Sequence, residues 1–284
     1  MEPPERTGSG HGTSTDGVAY ADLGDVTICH RLAGPEDGPR VVYVSGSGSD
    51  LRREPNVFSS PFVEGCRVLA YDHRGLGRST TGSEPPTMAD FAEDLLRLLD
   101  HVGWETCRAV GISFGGMVLM EAAVTRPERF ERCVLGCTSP GGAGGASFPL
   151  HELVGLPDDE RRERWLDALD TRNADPERRA VVRSVIEAMD AAKEREPGEP
   201  FHTDGEVAQL QARRHHDAFD RLPQMDMPVL IAAGRHDGIA PPANQEAMAA
   251  RLPDSRIQWF EGGHAFFIED RTAYPAMVDF VTTD

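Results

Sequence analysis

The sequence predicts an α/β fold: a mostly parallel central sheet flanked by helices, with a helical cap inserted between two late strands. Three observations predict it. Short apolar runs bounded by Gly, Pro or Asp recur along the chain. Segments whose apolar residues repeat at helical spacing separate them. The alternation is then suspended once, across residues 139–226. Strand–helix alternation through a chain argues for a parallel sheet covered by helices on both faces.

The strands come first in that argument. VTICHRL (26–32), VVYVS (41–45), CRVLAYD (66–72), CRAVGIS (107–113), CVLGC (133–137), PVLIAAG (228–234) and RIQWFEG (256–262) are β-branched and aliphatic. Most lack a polar alternation, which suits strands buried on both faces. Between them, Phe91, Leu95, Leu98, Leu99 and Val102 recur at helical spacing in MADFAEDLLRLLDHVG, and Gly103 supplies the stop. Residues 117–124 are apolar nearly all round, as in a helix packed deep in a core. Residues 244–252 and 274–281 predict two further helices.

PGGAGGASFP (140–149) opens the interruption as a hinge. Charged helical segments follow near 158–170, 177–193 and 204–221, and Trp165, Leu166 and Leu169 keep an apolar spacing among them. The expected organisation is a disordered tail over 1–17, a core from 18–138 and 227–284, and a helical cap over 139–226.

Composition bounds the function. A net charge of −18 over 284 residues excludes nucleic acid and an anionic membrane surface as expected partners. No apolar run is long enough to span a bilayer, and MEPPERTGSGHGTSTDG lacks the basic start and apolar segment of a secretory signal. Cys29, Cys66, Cys107, Cys133 and Cys137 are scattered and lie mostly in apolar runs, as buried free thiols of a cytoplasmic protein would. No Cys/His cluster calls for a metal. The basic residues are arginine apart from Lys193, which suits a GC-rich bacterial genome.

The chemistry gathers at the ends of the predicted strands. VGISFGGM (110–117) sets Ser113 between Gly111 and Gly115, directly after a buried strand and before an apolar helix. Gly-x-Ser-x-Gly in that setting is a nucleophile elbow, a sharp turn that lifts a serine hydroxyl above the sheet edge. AAGRHDGIAPP (232–242) places Asp237 just past a strand, and FEGGHAFF (260–267) places His264 just past the last one. Asp72, Arg74 and Ser79 in LAYDHRGLGRS (69–79) read as braces of a neighbouring loop.

With four motifs in this order, the chain resembles the α/β-hydrolase superfamily in its serine hydrolase branch. SGSGSDLR (45–52), YDHRGLG and GISFGGM are nearest in pattern to 3-oxoadipate enol-lactonase-like hydrolases. The resemblance implies Ser113 as nucleophile, His264 as general base and then acid, and Asp237 as the carboxylate that orients His264. It implies an oxyanion hole made by the backbone N–H groups of Ser47 and Phe114. Where many members carry His-Gly before the oxyanion residue, this chain has Ser45-Gly46, which leaves the packing beneath the hole open.

Gly46, Met117, Phe148 and Phe266 are expected to line a substrate pocket, as are Arg213, Arg214 and His215 of QARRHHDAFDRLP (211–223). A basic residue there would meet a substrate carboxylate. The expected activity is hydrolysis of a carboxylic ester or lactone through an acyl-enzyme, with a small-molecule substrate and no metal or other cofactor. A thioesterase or acyl-transfer enzyme of natural-product biosynthesis, a carbon–carbon bond hydrolase and a catalytically silent ligand-binding protein are the alternatives.

Overall fold

The computed structural model describes residues 17–52, 54, 56–192 and 204–283. The tail expected over 1–17, apart from Gly17, lies outside the described residues, as does Lys193. In chain order the elements are β1 (Val18–Asp22), β2 (Thr27–Ala33), β3 (Arg40–Val44), α1 (Phe62–Gly65), β4 (Arg67–Tyr71), α2 (Met88–His101), β5 (Cys107–Ile112), α3 (Phe114–Thr125) and β6 (Phe130–Gly136). Then come α4 (Asp158–Leu169), α5 (Pro176–Ala192), α6 (Asp204–Arg213), β7 (Val229–Gly234), α7 (Pro242–Arg251), β8 (Ser255–Phe260), α8 (Phe266–Glu269) and α9 (Ala273–Thr282). Short 3-10 turns fill several of the connections.

The strands form one sheet in the order β1-β2-β4-β3-β5-β6-β7-β8. Pairing is parallel from β4 through β8, while β1 and β2 add an antiparallel edge. Successive side chains of a strand point to opposite faces, so each central strand feeds two cores. Val42, Leu69, Ala109, Leu135 and Ile231 pack on one face with α2, α3 and α7. Val41, Val68, Val110, Val134 and Leu230 pack on the other with α1 and α9. That double burial is why these strands carry no polar alternation.

Strand β1 is the element that the apolar runs do not announce. Val18 and Ala21 are buried while Tyr20 and Asp22 are exposed, because the strand lies at the sheet edge and pairs only with β2. The segment expected as a helix over 204–221 also divides. Helix α6 ends at Arg213, and the chain turns back so that Ala218 N–H donates to Pro140 O at 2.9 Å. A bridge between Gly141 and Asp217 holds that turn.

Helix α2 shows how local signals and packing agree. Thr87 and Asp90 cap its start reciprocally, each side chain accepting from the other's backbone N–H, an arrangement worth about 1 kcal/mol. Gly103 follows its end with φ of +72°, a left-handed conformation that glycine adopts without strain. Phe91, Leu95, Leu98 and Leu99 bury its inner face against the sheet and α3. Helix α3 is buried along nearly its whole length. We predict that Leu119→Ala, at a fully buried site on α3, lowers stability by about 2–5 kcal/mol in urea unfolding.

Candidate active site

Ser113 stands at the end of β5 with φ of +54° and ψ of −114°, a backbone conformation strained for a residue with a side chain. The surrounding glycines make the turn sterically feasible. A Cβ on Gly111 would lie 2.6 Å from the Gly115 carbonyl oxygen, one on Gly115 would overlap the Val44 carbonyl, and one on Gly116 would lie 2.6 Å from Thr138 Cβ. The start of α3 therefore sits directly against β3 and the end of β6. Ser113 N–H donates to Gly136 O at 2.8 Å, and the Thr138 hydroxyl donates to Ser113 O at 2.8 Å.

Two other loops bring their side chains to the same serine. His264, in the loop after β8, has Nε2 2.8 Å from Ser113 Oγ. Its Nδ1 lies 2.9 and 3.0 Å from the two carboxylate oxygens of Asp237, in the loop after β7. Asp237 Oδ1 also accepts from the N–H groups of Ile239 and Ala240, at 2.8 Å each. Asp237 is buried, whereas Ser113 and His264 keep partial access to solvent. A hydroxyl, an imidazole and a held carboxylate in series can relay one proton from the hydroxyl to the ring and stabilise the charge that results. His236, beside Asp237, faces Glu261 instead, with Nε2 3.8 Å from its carboxylate.

The loop after β3 closes the third side. A Cβ placed on Gly46 would lie 3.6 Å from Ser113 Cβ, so Gly46 and Ser47 pass beside the serine. Phe114 is the first residue of α3, and the first N–H groups of a helix have no intrahelical acceptor.

Beneath this loop is His73, which the sequence pattern does not single out. Its Nε2–H donates to Ser45 O at 3.1 Å, and its ring packs edge-on against Tyr71, Phe91 and Phe114. His73 therefore occupies the ground left open by Ser45-Gly46. Burial lowers its pKa from 6.5 to about 4, so it is neutral at neutral pH.

Asp72, Arg74 and Ser79 brace the adjoining loop. Asp72 accepts from the N–H groups of Leu51 and Arg78, at 2.6 and 2.9 Å. Ser79 Oγ donates to Asp72 O at 2.7 Å and accepts from Cys29 N–H. Arg74 forms a two-pronged pair with Asp94 of α2, both bonds at 2.6 Å.

The residues expected to line a pocket separate. Gly46 lies beside Ser113, Phe148 is half-buried, and Arg213 is buried. Met117, on α3, and Phe266 are both buried: Met117 joins the core on its face of the sheet, and Phe266 stacks on Phe260 at 5.0 Å. Arg214 and His215 are corrections. Both are exposed on the turn that follows α6, where Arg214 reaches back to Gln211. His216 turns inward, with Nδ1 3.2 Å from Glu121 of α3. Two inward residues carry no motif: Gln209, fully buried on α6, and Gln245 of α7, whose amide donates to Thr138 O and Ala240 O at 2.8 and 3.0 Å.

The five cysteines are free and buried, and burial pushes the Cys29 and Cys107 thiols up to about 12. Among the described residues, no helix is long and apolar enough to cross a membrane.

The profile of a family described as alpha/beta hydrolase fold matches residues 29–271 of the chain. The chain is 28% identical over 261 residues to a protein of Pseudomonas savastanoi pv. phaseolicola provisionally named carbamate hydrolase RutD, with 86% of this chain and 94% of that one covered. It is 26% identical over 251 residues to a poly(3-hydroxyalkanoate) depolymerase of Ectopseudomonas oleovorans, with 84% and 82% covered. The enol-lactonase of Burkholderia xenovorans LB400 superposes with a TM-score of 0.74 at 25% identity, over 93% of this chain and 100% of the enol-lactonase.

The His73 ring yields a pH prediction. The unfolded chain takes up a proton near pH 6.5 that the folded protein refuses until about pH 4. The stabilising contribution is thus fully present above about 6.5 and is lost as pH falls through that window. His73→Gln should show a shallower loss of unfolding free energy between pH 6.5 and 4 than the parent protein in urea titrations.

Proposed function

The chain belongs to the α/β-hydrolase family, and from that premise we propose that it is a serine hydrolase that cleaves a carboxylic ester or lactone through an acyl-enzyme. The observation that carries this reading is the unbroken series from Ser113 Oγ through His264 to the Asp237 carboxylate, with heavy-atom separations of 2.8 and 2.9 Å.

In the proposed reaction Ser113 Oγ attacks the acyl carbon as His264 Nε2 takes its proton. Asp237 holds the ring in the tautomer that leaves Nε2 free to accept, and stabilises the imidazolium. The carbonyl oxygen becomes an oxyanion and takes hydrogen bonds from Ser47 and Phe114 N–H, each worth roughly 2.7–4 kcal/mol in the transition state. The bond to the leaving oxygen breaks, and that oxygen receives the proton from His264. Water, deprotonated by His264, then attacks the acyl-enzyme, releases the acid and returns the proton to Ser113. No metal or other cofactor takes part in this scheme.

Three further points support the reading. A serine nucleophile is an alcohol and suits acyl transfer, whereas routes that need a carboxylate nucleophile would place Asp or Glu at position 113. The names of the related proteins, a carbamate hydrolase, a polyester-type depolymerase and an enol-lactonase, refer to reactions at carbonyl carbon. The five buried free thiols favour a reducing compartment, the cytoplasm.

A fluorophosphonate probe is expected to label the protein at Ser113 and to leave Ser113→Ala unlabelled. Ser113→Ala, His264→Ala and Asp237→Asn should each lower kcat by roughly 10⁴-fold on an aryl ester the parent protein turns over. Absence of labelling on correctly folded protein would refute the reading.

A further inference from the structure

The basic motif at the end of α6 has two members turned inward: His216, which meets Glu121, and Arg213, which does not stand alone. Gln209 and Arg213 lie four residues apart on α6, hence on one face of the helix. Gln209 is fully buried and Arg213 is 5% exposed. Gly48 N–H donates to Gln209 Oε1 at 2.9 Å, which fixes the amide and leaves its Nε2 group as a donor. That Nε2 is buried without a partner. Arg213 donates from Nη2 to Ser147 Oγ, and its Nη1 is likewise buried without a partner.

These two side chains face the loops that converge on Ser113. Gly48 belongs to the loop that carries Gly46 and Ser47. Ser147 precedes Phe148, whose N–H donates to Ile239 O at 2.8 Å, and Ile239 N–H donates to the Asp237 carboxylate. One end of the α6 face is thus tied to the proposed oxyanion loop and the other to the Asp237 loop. Ser113 lies between those loops. Ser47 Oγ, in the same neighbourhood, is a third buried polar atom without a partner.

Burial of a guanidinium is tolerated when an opposing charge or full hydrogen bonding compensates it. Among the described residues no carboxylate pairs with Arg213. Asp237 lies near enough for its field to oppose the effect of burial, but its oxygens are engaged by His264 and two backbone N–H groups. Glu206 sits two turns earlier on α6, against Gly48. Burial lowers the Arg213 pKa to about 10, which leaves it charged at neutral pH.

We propose that Arg213 and Gln209 form a subsite for a carboxylate carried by the substrate next to the bond that Ser113 attacks, so that the protein selects anionic esters or lactones over neutral ones. Arg213 supplies the charge and one N–H, and Gln209 supplies a neutral donor at the oxyanion-loop end. The proposal rests on the hydrolase reading for the reacting bond, but binding at the subsite needs no turnover.

Calorimetry on Ser113→Ala protein separates the two. Monomethyl glutarate and methyl valerate test a carboxylate on the acyl side; 4-acetoxybenzoate and 4-methylphenyl acetate test one on the leaving-group side. In at least one pair the anionic ligand is expected to bind tenfold or more tightly than the neutral one. Arg213→Met in the same background should abolish that preference, and Gln209→Leu should reduce it. Equal affinity within both pairs, or a preference that survives Arg213→Met, would overturn the proposal, whatever the fluorophosphonate result. The comparison within each pair on Ser113→Ala protein decides even if Arg213→Met fails to fold. On protein with Ser113 intact, Arg213→Met should lower the anionic-over-neutral ratio of kcat/KM at least tenfold, chiefly through KM, in whichever series showed the binding preference: a 4-nitrophenyl glutarate monoester over 4-nitrophenyl valerate for the acyl side, 4-acetoxybenzoate over 4-methylphenyl acetate for the leaving-group side. A merely structural role would lower both substrates together and leave the ratio unmoved.

Discussion

The geometry of this protein depends on how closely helix α3 approaches the sheet. Ser113 alone separates the end of β5 from the start of the helix, whose first turn presses on the Val44 and Ser45 carbonyls and on Thr138. Backbone at positions 111 and 115, and the buried Thr138 side chain at position 116, leave no room for a side chain there. The same contact forces Ser113 into its positive-φ conformation and directs its hydroxyl out of the sheet edge. The strain is sustained because hydrogen bonds from Ser113 N–H and to Ser113 O hold the turn from both sides, and because α3 is buried along its length.

Around that turn, the loops after β3 and β4 owe their positions to buried polar groups that hold their backbone. Asp72 accepts from two backbone N–H groups, and burial raises its pKa, which those bonds oppose. Arg74 and Asp94 tie the same loop to α2. His73 carries the Ser45 carbonyl on a neutral ring wedged among aromatics. An unpaired polar group in such places would cost about 1–3 kcal/mol, so the loops are held to one arrangement. The loop after β3, which passes beside Ser113, is thereby positioned from below by groups outside the proposed chemistry.

The helical segment between β6 and β7 holds the loops from above. His264 N–H donates to Leu169 O at 2.7 Å, at the end of α4, and Thr171 N–H donates to His236 O at 2.9 Å. The Ala168 and Leu169 carbonyls approach Gly238 and Gly263 too closely for a Cβ at either glycine. Helix α6 reaches the Gly46–Gly48 loop through Gln209, and Arg213 reaches Ser147. Changes in this segment therefore act on both the orientation of His264 and the space beside Ser113, which couples the proposed substrate selection to the proposed chemistry.

By itself the sequence determined the parallel sheet, the helices that cover it, and the elbow at Ser113, because these rest on short-range patterns. Apolar runs follow from burial on two faces, and the glycines at 111, 115 and 116 follow from a local backbone approach. The order of Ser113, Asp237 and His264 was legible for the same reason: each follows a recognisable strand. Edge strand β1 was not, since Tyr20 and Asp22 face solvent and its pairing lies with β2 alone. Only the tertiary structure decided which side chains look inward. Met117 and Phe266 went to the core, Arg214 and His215 to the surface, and Arg213, Gln209 and His73 to the neighbourhood of the site. For Arg213 and Gln209 the outcome depends on where α6 ends and on which loops meet it, contacts between residues more than a hundred positions apart, as between Gly48 and Gln209, that no local spacing encodes.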